Sequence, residues 1–399
     1  MGNLCPQMAA ALGYKSKSSV DVAPLLEISA VDDAADLKKP HTSPPPMSAA
    51  QAELGATLHA PSSMYADFVR DVMPDLKGKV AIVTGANAGI GYWATRALAQ
   101  KGCTVVMACR DLSKANAAKS QIVAELQEDT GVEALIEVTH LDLQSFASVR
   151  AFAADMKSRH AGGVHMLLNN AGIMGLEKIL TADGWDVQLQ TNHLSHFLLA
   201  HELLDLLARA PGGGRVVSHS SMAHKAGRIN AANLNEGAAD GMCGLAGALP
   251  GAKPFVRYGQ SKLANVLFAF ELHRRLTAAG MDKKVKSVCV HPGFSSTNIF
   301  DAPERAGNLP SIFRCFAPRF SQSAEDGSLP LLLAATHGSI ESGAFYGPEK
   351  GSTGYPVRCK AAGHANDEEM ARELWVLSEL ACGCRFTIGD EPAAEPLKL

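Results

Sequence analysis

The chain has 399 residues, a formal net charge of −3 and 47% hydrophobic residues. That is enough apolar material for one large core or two smaller ones, and the lack of a basic surplus argues against nucleic acid or an anionic membrane as partner. Nine cysteines lack the paired C-x2-C spacing of a zinc site, so no metal is expected, and Cys103 and Cys289 beside apolar runs suit reduced thiols in a cytosol-like compartment.

Residues 1–76 are rich in Ala, Ser and Pro and read as a low-complexity, mostly disordered extension, with one short helix near 64–73. Gly2 and Cys5 stand where acyl chains can be added, but Pro6 occupies the position that wants Ser or Thr. The alternative there is an ordinary tail. No apolar run reaches the length of a membrane span and no hydrophobic leader opens the chain, so a cytoplasmic protein is expected.

From Lys77 short apolar runs alternate with amphipathic stretches. The predicted strands are 80–84, 104–109, 135–142, 164–170, 215–220, 285–292 and 343–347, with helices between them such as 149–160 and 196–210. Continuous apolar strands separated by helices imply a parallel sheet covered on both faces. The expected fold is α/β: one doubly wound, Rossmann-type domain over 77–385, with a mostly parallel seven-stranded sheet and a C-terminal tail over 386–399. The final Leu397-Lys398-Leu399 differs by one residue from the peroxisomal Ser-Lys-Leu address and is read as ordinary tail.

The first strand runs into a Gly-rich turn and a helix, "VTGANAGIGYWATRALAQ". Gly85, Asn87, Ala88, Gly89, Ile90 and Gly91 can bring backbone amides and a helix N-terminus close to a pyrophosphate. Nineteen residues beyond Gly91, Arg110 ends the second strand. A carboxylate there would suit the ribose hydroxyl of NAD, whereas an arginine fork suits the 2′-phosphate of NADP. The bland reading leaves Arg110 in solvent and gives Asp111 a capping role. Asp142 and Leu143 close the third strand, with Asp142 either an adenine contact or a helix cap. Asn169-Asn170-Ala171-Gly172 closes the fourth strand, at the sheet edge where open α/β sheets bind ligands.

Further along stand Asn192, the pair Ser220-Ser221, and Tyr258 four residues before Lys262. Tyr and Lys at that spacing share a helix face, and a nearby positive charge favours phenolate. Each residue also has an ordinary reading: Asn192 as a cap, the serines as a strand end, Tyr258 as packing.

Taken in order, Thr84-Gly85-x3-Gly89-x-Gly91, Asn169-Asn170-Ala171-Gly172, Asn192, Ser220-Ser221, Tyr258-x3-Lys262 and His291-Pro292-Gly293 resemble the short-chain dehydrogenase/reductase family across roughly 77–350. "MACRDLSKA", "TNHLSHFLL" and "YGQSKLANVLF" are most similar to its retinol-dehydrogenase-like branch, which includes the WW-domain oxidoreductase. No WW domain is visible, since Trp93, Trp185 and Trp375 lie within or after the core. The resemblance implies an NADP(H)-dependent alcohol/carbonyl oxidoreductase. Tyr258 would be its acid/base. Lys262 would lower the tyrosine pKa and hold the nicotinamide ribose. Ser221, the later serine, would polarise the carbonyl, and Asn192 would hold a water of the proton relay. Asn170, Ala171, Gly172, Pro292 and Gly293 would complete the cofactor site.

Two departures leave other readings open. The 37-residue gap from Ser221 to Tyr258 contains a Gly- and Ala-rich insertion, 235–253. Similar insertions, and "ACRD", occur in light-dependent protochlorophyllide oxidoreductase, which reduces a double bond. A third reading is a non-catalytic cofactor sensor or scaffold whose first 76 residues recruit partners. The apolar stretch 294–320 suggests a cover for a lipophilic retinoid, steroid or aldehyde, or a packing or homodimer surface.

Overall fold

The computed structural model describes residues 62–176, 179–229, 231, 234–235, 253–294 and 322–389. Gly2, Cys5, most of the 235–253 insertion, the stretch 295–321 and the C-terminal tail from 390 lie outside the described residues.

In chain order the major elements are α1 (Ser63–Asp71), β1 (Val80–Thr84), α2 (Gly89–Gln100), β2 (Thr104–Cys109), α3 (Leu112–Thr130), β3 (Ile136–His140), α4 (Phe146–Arg159) and β4 (Met166–Asn169). A short helical turn, Val187–Leu189, and a π-helical turn, Gln190–Leu194, lead into α5 (Ser195–Arg209). Then follow β5 (Gly214–His219), α6 (Lys253–Ala278), β6 (Val285–Val290), α7 (Ala324–Thr336), β7 (Phe345–Pro348), β8 (Pro356–Cys359) and α8 (Glu368–Cys382).

The sheet order is β3-β2-β1-β4-β5-β6-β7-β8. The seven predicted strands are all present and run parallel. An eighth, antiparallel to β7, extends the edge. β8 escaped sequence reading because it is four residues long, begins with Pro and carries the exposed Val357 and Arg358, so it has no apolar run.

Along each inner strand, successive side chains enter opposite layers. Ile82, Val106, Leu167 and Val216 pack under α4, α5, α6 and α8. Ala81, Val83, Met107, Leu168 and Val217 pack under α1, α2, α3 and α7. A strand buried on both faces must be apolar at every position, which is why these runs read as continuous.

α1 belongs to the second layer. Ser62 caps it, accepting from the Tyr65 amide at 3.1 Å, and Tyr65, Phe68 and Val69 share its buried face. The Tyr65 hydroxyl donates to the Trp93 carbonyl at 2.9 Å, and the Ser62 hydroxyl donates to Asp326 in α7. Among the described residues the chain is therefore packed from Ser62 onward, ahead of the compositional change near residue 77. Arg96, 4% exposed, ties α2 to α3 through Glu125 at 3.0 Å. Among the described residues no helix is long and apolar enough to cross a membrane. The six described cysteines are free thiols.

From β1 the chain winds one way to β2 and β3, then crosses back to β4. That reversal opens a crevice at the carboxyl ends of β1 and β4.

Candidate active site

The crevice is built from strand ends. β1 delivers Thr84 and the Gly-rich turn. Gly85 and Gly89 take φ of 64° and 54°, the left-handed region that glycine enters without strain. Gly91 is forced for a different reason. A Cβ there would stand 2.3 Å from the Gly85 carbonyl oxygen and 2.6 Å from Asn170 Nδ2. Ala88 occupies the N-cap of α2 with no side-chain hydrogen bond, so side chains do not compete for the first amides of the helix. Such amides and the helix dipole attract anions. A cleft of about 520 Å³ opens beside the turn, lined by Asn87, Ala88, Tyr92, Lys114 and Gln121 among others.

Arg110 is exposed at the end of β2. Asp111 caps α3 by accepting from the Lys114 amide at 3.0 Å, so the exposed Arg110 and the capping Asp111 stand as the ordinary reading had them. Asp142 caps no helix: Ser145 does that for α4. The Asp142 carboxylate instead accepts from the Gln144 amide at 2.9 Å, and Leu143 is buried, its carbonyl accepting from Ser195 at 2.7 Å. Asn170 ties the turn to β5. Its Nδ2 donates to the Thr84 carbonyl at 2.8 Å, and its Oδ1 lies 3.1 Å from His219 Nδ1. Gly172 faces the inner site: a Cβ there would stand 3.1 Å from Lys262 Nζ and 3.3 Å from Asn192 Oδ1. Pro292 and Gly293 follow β6, and a Cβ on Gly293 would stand 2.1 Å from the Ser352 carbonyl oxygen.

The structure brings together Asn192, Ser221, Tyr258 and Lys262. The two serines part company. Ser220, buried, donates to the Lys262 carbonyl at 2.7 Å and helps hold α6. Ser221 caps a short 3₁₀ turn, Met222–Lys225, its hydroxyl accepting from the Ala223 amide at 3.2 Å, and it stands beside the Tyr258 phenol. Tyr258 and Lys262 lie on α6 with the ammonium 5.7 Å from the ring centroid. Lys262 Nζ donates to the His219 carbonyl at 3.0 Å.

Burial dominates the electrostatics. It pushes the Tyr258 phenol up to about 12, against a partial lowering by the Ser221 hydrogen bond, and it pushes the Lys262 ammonium down to about 8. The expected lowering of Tyr258 by Lys262 is therefore not met in this geometry: the ammonium lies over the ring and its bond goes to a carbonyl. The Lys262 shift has a measurable consequence. Between pH 8 and about 10 the unfolded chain holds more protons on this lysine than the folded chain does, so stability from this group rises with pH there. Denaturant midpoints of wild type and Lys262→Met at pH 8 and pH 10 should diverge in favour of wild type as pH rises. A pH-independent difference would refute the shift.

Asn192 sits in the π-helical turn, a geometry common at functional sites. Its Oδ1 accepts from the Ile173 amide at 2.8 Å. Its Nδ2 donates to the Ile173 carbonyl at 2.9 Å and to Ser261 Oγ at 2.9 Å. Both Nδ2 protons are thus spent on protein, and the side chain clamps the loop after β4. Sequence reasoning missed Lys114, three residues after the capping Asp111, and His196, one helical turn after Asn192. The i, i+4 spacing from Asn192 was the available signal for the latter.

Residues 79–233 match the family model described as short chain dehydrogenase. Retinol dehydrogenase 11 of Mus musculus is 43% identical over 305 residues, covering 76% of this chain and 86% of that protein. The chain belongs to the short-chain dehydrogenase/reductase family. The WW domain-containing oxidoreductase of Gallus gallus is 35% identical, over 76% of this chain and 68% of its own length. A solved structure of an uncharacterised protein from Mycobacterium paratuberculosis aligns with TM-score 0.62 at 35% identity, covering 80% of this chain and 98% of that one. This short-chain dehydrogenase is thus an oxidoreductase of CH–OH donors with a nicotinamide cofactor and a small-molecule substrate, on the retinol-dehydrogenase-like branch. The open amides of α2, the close approach at Gly91 and the small face at Gly172 fit such a dinucleotide along the crevice.

Proposed function

We propose that this dehydrogenase uses NADP(H) to interconvert the alcohol and carbonyl of a lipophilic substrate, with Tyr258 as acid/base. The bound cofactor supplies or accepts the hydride. The observation that carries the reading is the buried Tyr258 phenol with the half-buried Ser221 beside it. A phenol protonated at neutral pH is the form that gives a proton to an oxygen gaining negative charge in the reduction direction. Ser221, beside the phenol, polarises the same oxygen. Lys262 reaches past Gly172 toward the crevice with donors left for a ribose. Asn192 acts by holding Ile173 and, through Ser261 and the Tyr258 carbonyl, the α6 turn that carries the tyrosine. Retinol dehydrogenase 11 as a relative at 43% identity supports a retinoid-like substrate, as does Phe294, 51% exposed after Gly293.

For the cofactor, Lys114 lines the cleft beside Asn87 and Ala88 and Arg110 stands exposed at the end of β2, and their charges suit a 2′-phosphate. Arg110→Ala should raise the KM for NADPH about tenfold or more and leave that for NADH unchanged, the loss of one charge-assisted hydrogen bond. Steady-state kinetics with both cofactors decides it, and a wild type that prefers NADH would defeat the Arg110 assignment. A panel of retinal, steroid ketones and aliphatic aldehydes with NADPH tests the reaction itself. No turnover on any of them, with cofactor bound, would overturn the proposal.

A further inference from the structure

His196 touches both halves of the site and is assigned to neither. Its ring is buried in α5. On one side Nδ1 lies 3.1 Å from the Asn192 carbonyl oxygen. On the other, Nε2 lies 3.0 Å from Thr84 Oγ1. The chemistry of its partners fixes every proton. A carbonyl only accepts, so Nδ1 carries the hydrogen, and in the neutral ring Nε2 accepts. Thr84 Oγ1 already accepts from the amides of Asn170 and Ala171, both at 2.9 Å. Its two lone pairs are then used and its single proton is free to donate. The nearest acceptor is His196 Nε2, ahead of the Leu168 carbonyl at 3.3 Å. A second proton on the imidazole would point Nε2–H at a hydroxyl with no lone pair left. Burial acts in the same direction, holding the ring well below the usual histidine range, at about 4.

The result is one directional chain across the crevice. The amides of Asn170 and Ala171 donate to Thr84, Thr84 to His196, and His196 to the Asn192 carbonyl. From Asn192 the side chain continues to Ser261, whose hydroxyl donates to the Tyr258 carbonyl at 2.8 Å. The cofactor turn and the tyrosine helix are thus joined through one imidazole.

We propose that His196 is a positioning residue, a neutral Nδ1–H bridge that sets the cofactor turn at Thr84 against the Asn192 turn. This rests on the reading of the site as a nicotinamide-dependent carbonyl reductase. The two ring nitrogens give separable halves. In His196→Asn the amide nitrogen takes the place of Nδ1, keeping the bond to Asn192 and losing the one to Thr84. In His196→Gln the terminal amide takes the place of Nε2, keeping Thr84 and losing Asn192.

The test measures the NADPH dissociation constant by fluorescence and kcat with the best aldehyde of the panel, on the full chain. His196→Asn should weaken NADPH about tenfold with kcat near wild type, and His196→Gln should lower kcat about tenfold with NADPH affinity near wild type, one hydrogen bond in each case. A purely structural histidine would lower stability and leave both parameters unchanged, or move them together, and either pattern overturns the bridge. A wild type that binds NADPH but turns over no carbonyl would defeat the reductase reading, while the NADPH affinity of His196→Asn would still decide the Thr84 half. Should neither variant fold, ¹⁵N imidazole shifts of the wild type decide: Nδ1–H with unprotonated Nε2 at pH 7 supports the bridge, and the opposite tautomer or an imidazolium refutes it.

Discussion

Tyr258→Phe should lower kcat for carbonyl reduction by about 10³-fold, within the range that positioned proton transfer contributes, and leave NADPH binding nearly unchanged. The substitution keeps the ring that packs beneath Lys262 and removes only the hydroxyl. Tyr258 is 8% exposed, so water has little room to substitute for the lost acid. Ser221→Ala should act on the same step, and the double variant should fall short of the sum, because the two hydroxyls act on one substrate oxygen. Stopped-flow measurement of the hydride step separates this from product release. Retention of most of the rate in Tyr258→Phe would place the acid elsewhere, and the reading of α6 would fall with it.

Gly91→Val should abolish cofactor binding, with affinity reduced by more than about 100-fold, and should lower stability by roughly 1–3 kcal/mol, the usual cost of overpacking. The new Cβ would meet the Gly85 carbonyl and the Asn170 amide. The first is backbone, and the second is a side-chain amide held at 2.8 Å on the Thr84 carbonyl. The turn would have to open, pulling Asn170 off the Thr84 carbonyl and displacing the amides aimed at the pyrophosphate. Gly338→Ala is the matched control, since a Cβ there meets nothing within 4 Å. Isothermal titration with NADPH and thermal unfolding of the three proteins give both quantities. A Gly91→Val protein that binds cofactor normally would show that the turn is not the phosphate cradle.

Much of this could be seen in the sequence, for physical reasons. β1 and β2 stand where the apolar runs placed them, Val80–Thr84 and Thr104–Cys109, because strands buried on both faces tolerate no polar interruption. Asn192, Ser221, Tyr258 and Lys262 converge because the crossover topology brings their strand and helix ends to one edge. The parts that were not legible depend on where side chains spend their hydrogen bonds. The family register singled out Ser221, but the part Ser220 plays, a bond to the Lys262 carbonyl that holds α6, shows only in the structure. The clamp of Asn192 on Ile173 was hidden because that partner comes from a loop 19 residues earlier. The behaviour of the Tyr258–Lys262 pair also differed, since helical spacing fixes proximity but burial fixes the sign of the shifts. α1 was seen as a helix, yet its docking was hidden by the composition around it.

That docking bears on how the chain assembles. The bond between Ser62 and Asp326 closes a loop of 264 residues, so the apolar face of α1 emerges from synthesis long before α7 exists to cover it. Local contact with Trp93 is the first partner within reach. Closure against α7 must wait until the intervening crossovers are in place, at an entropic cost that grows only logarithmically with loop length. The docking of α1 on α7 thereby ties together two parts of the described chain that lie far apart in sequence.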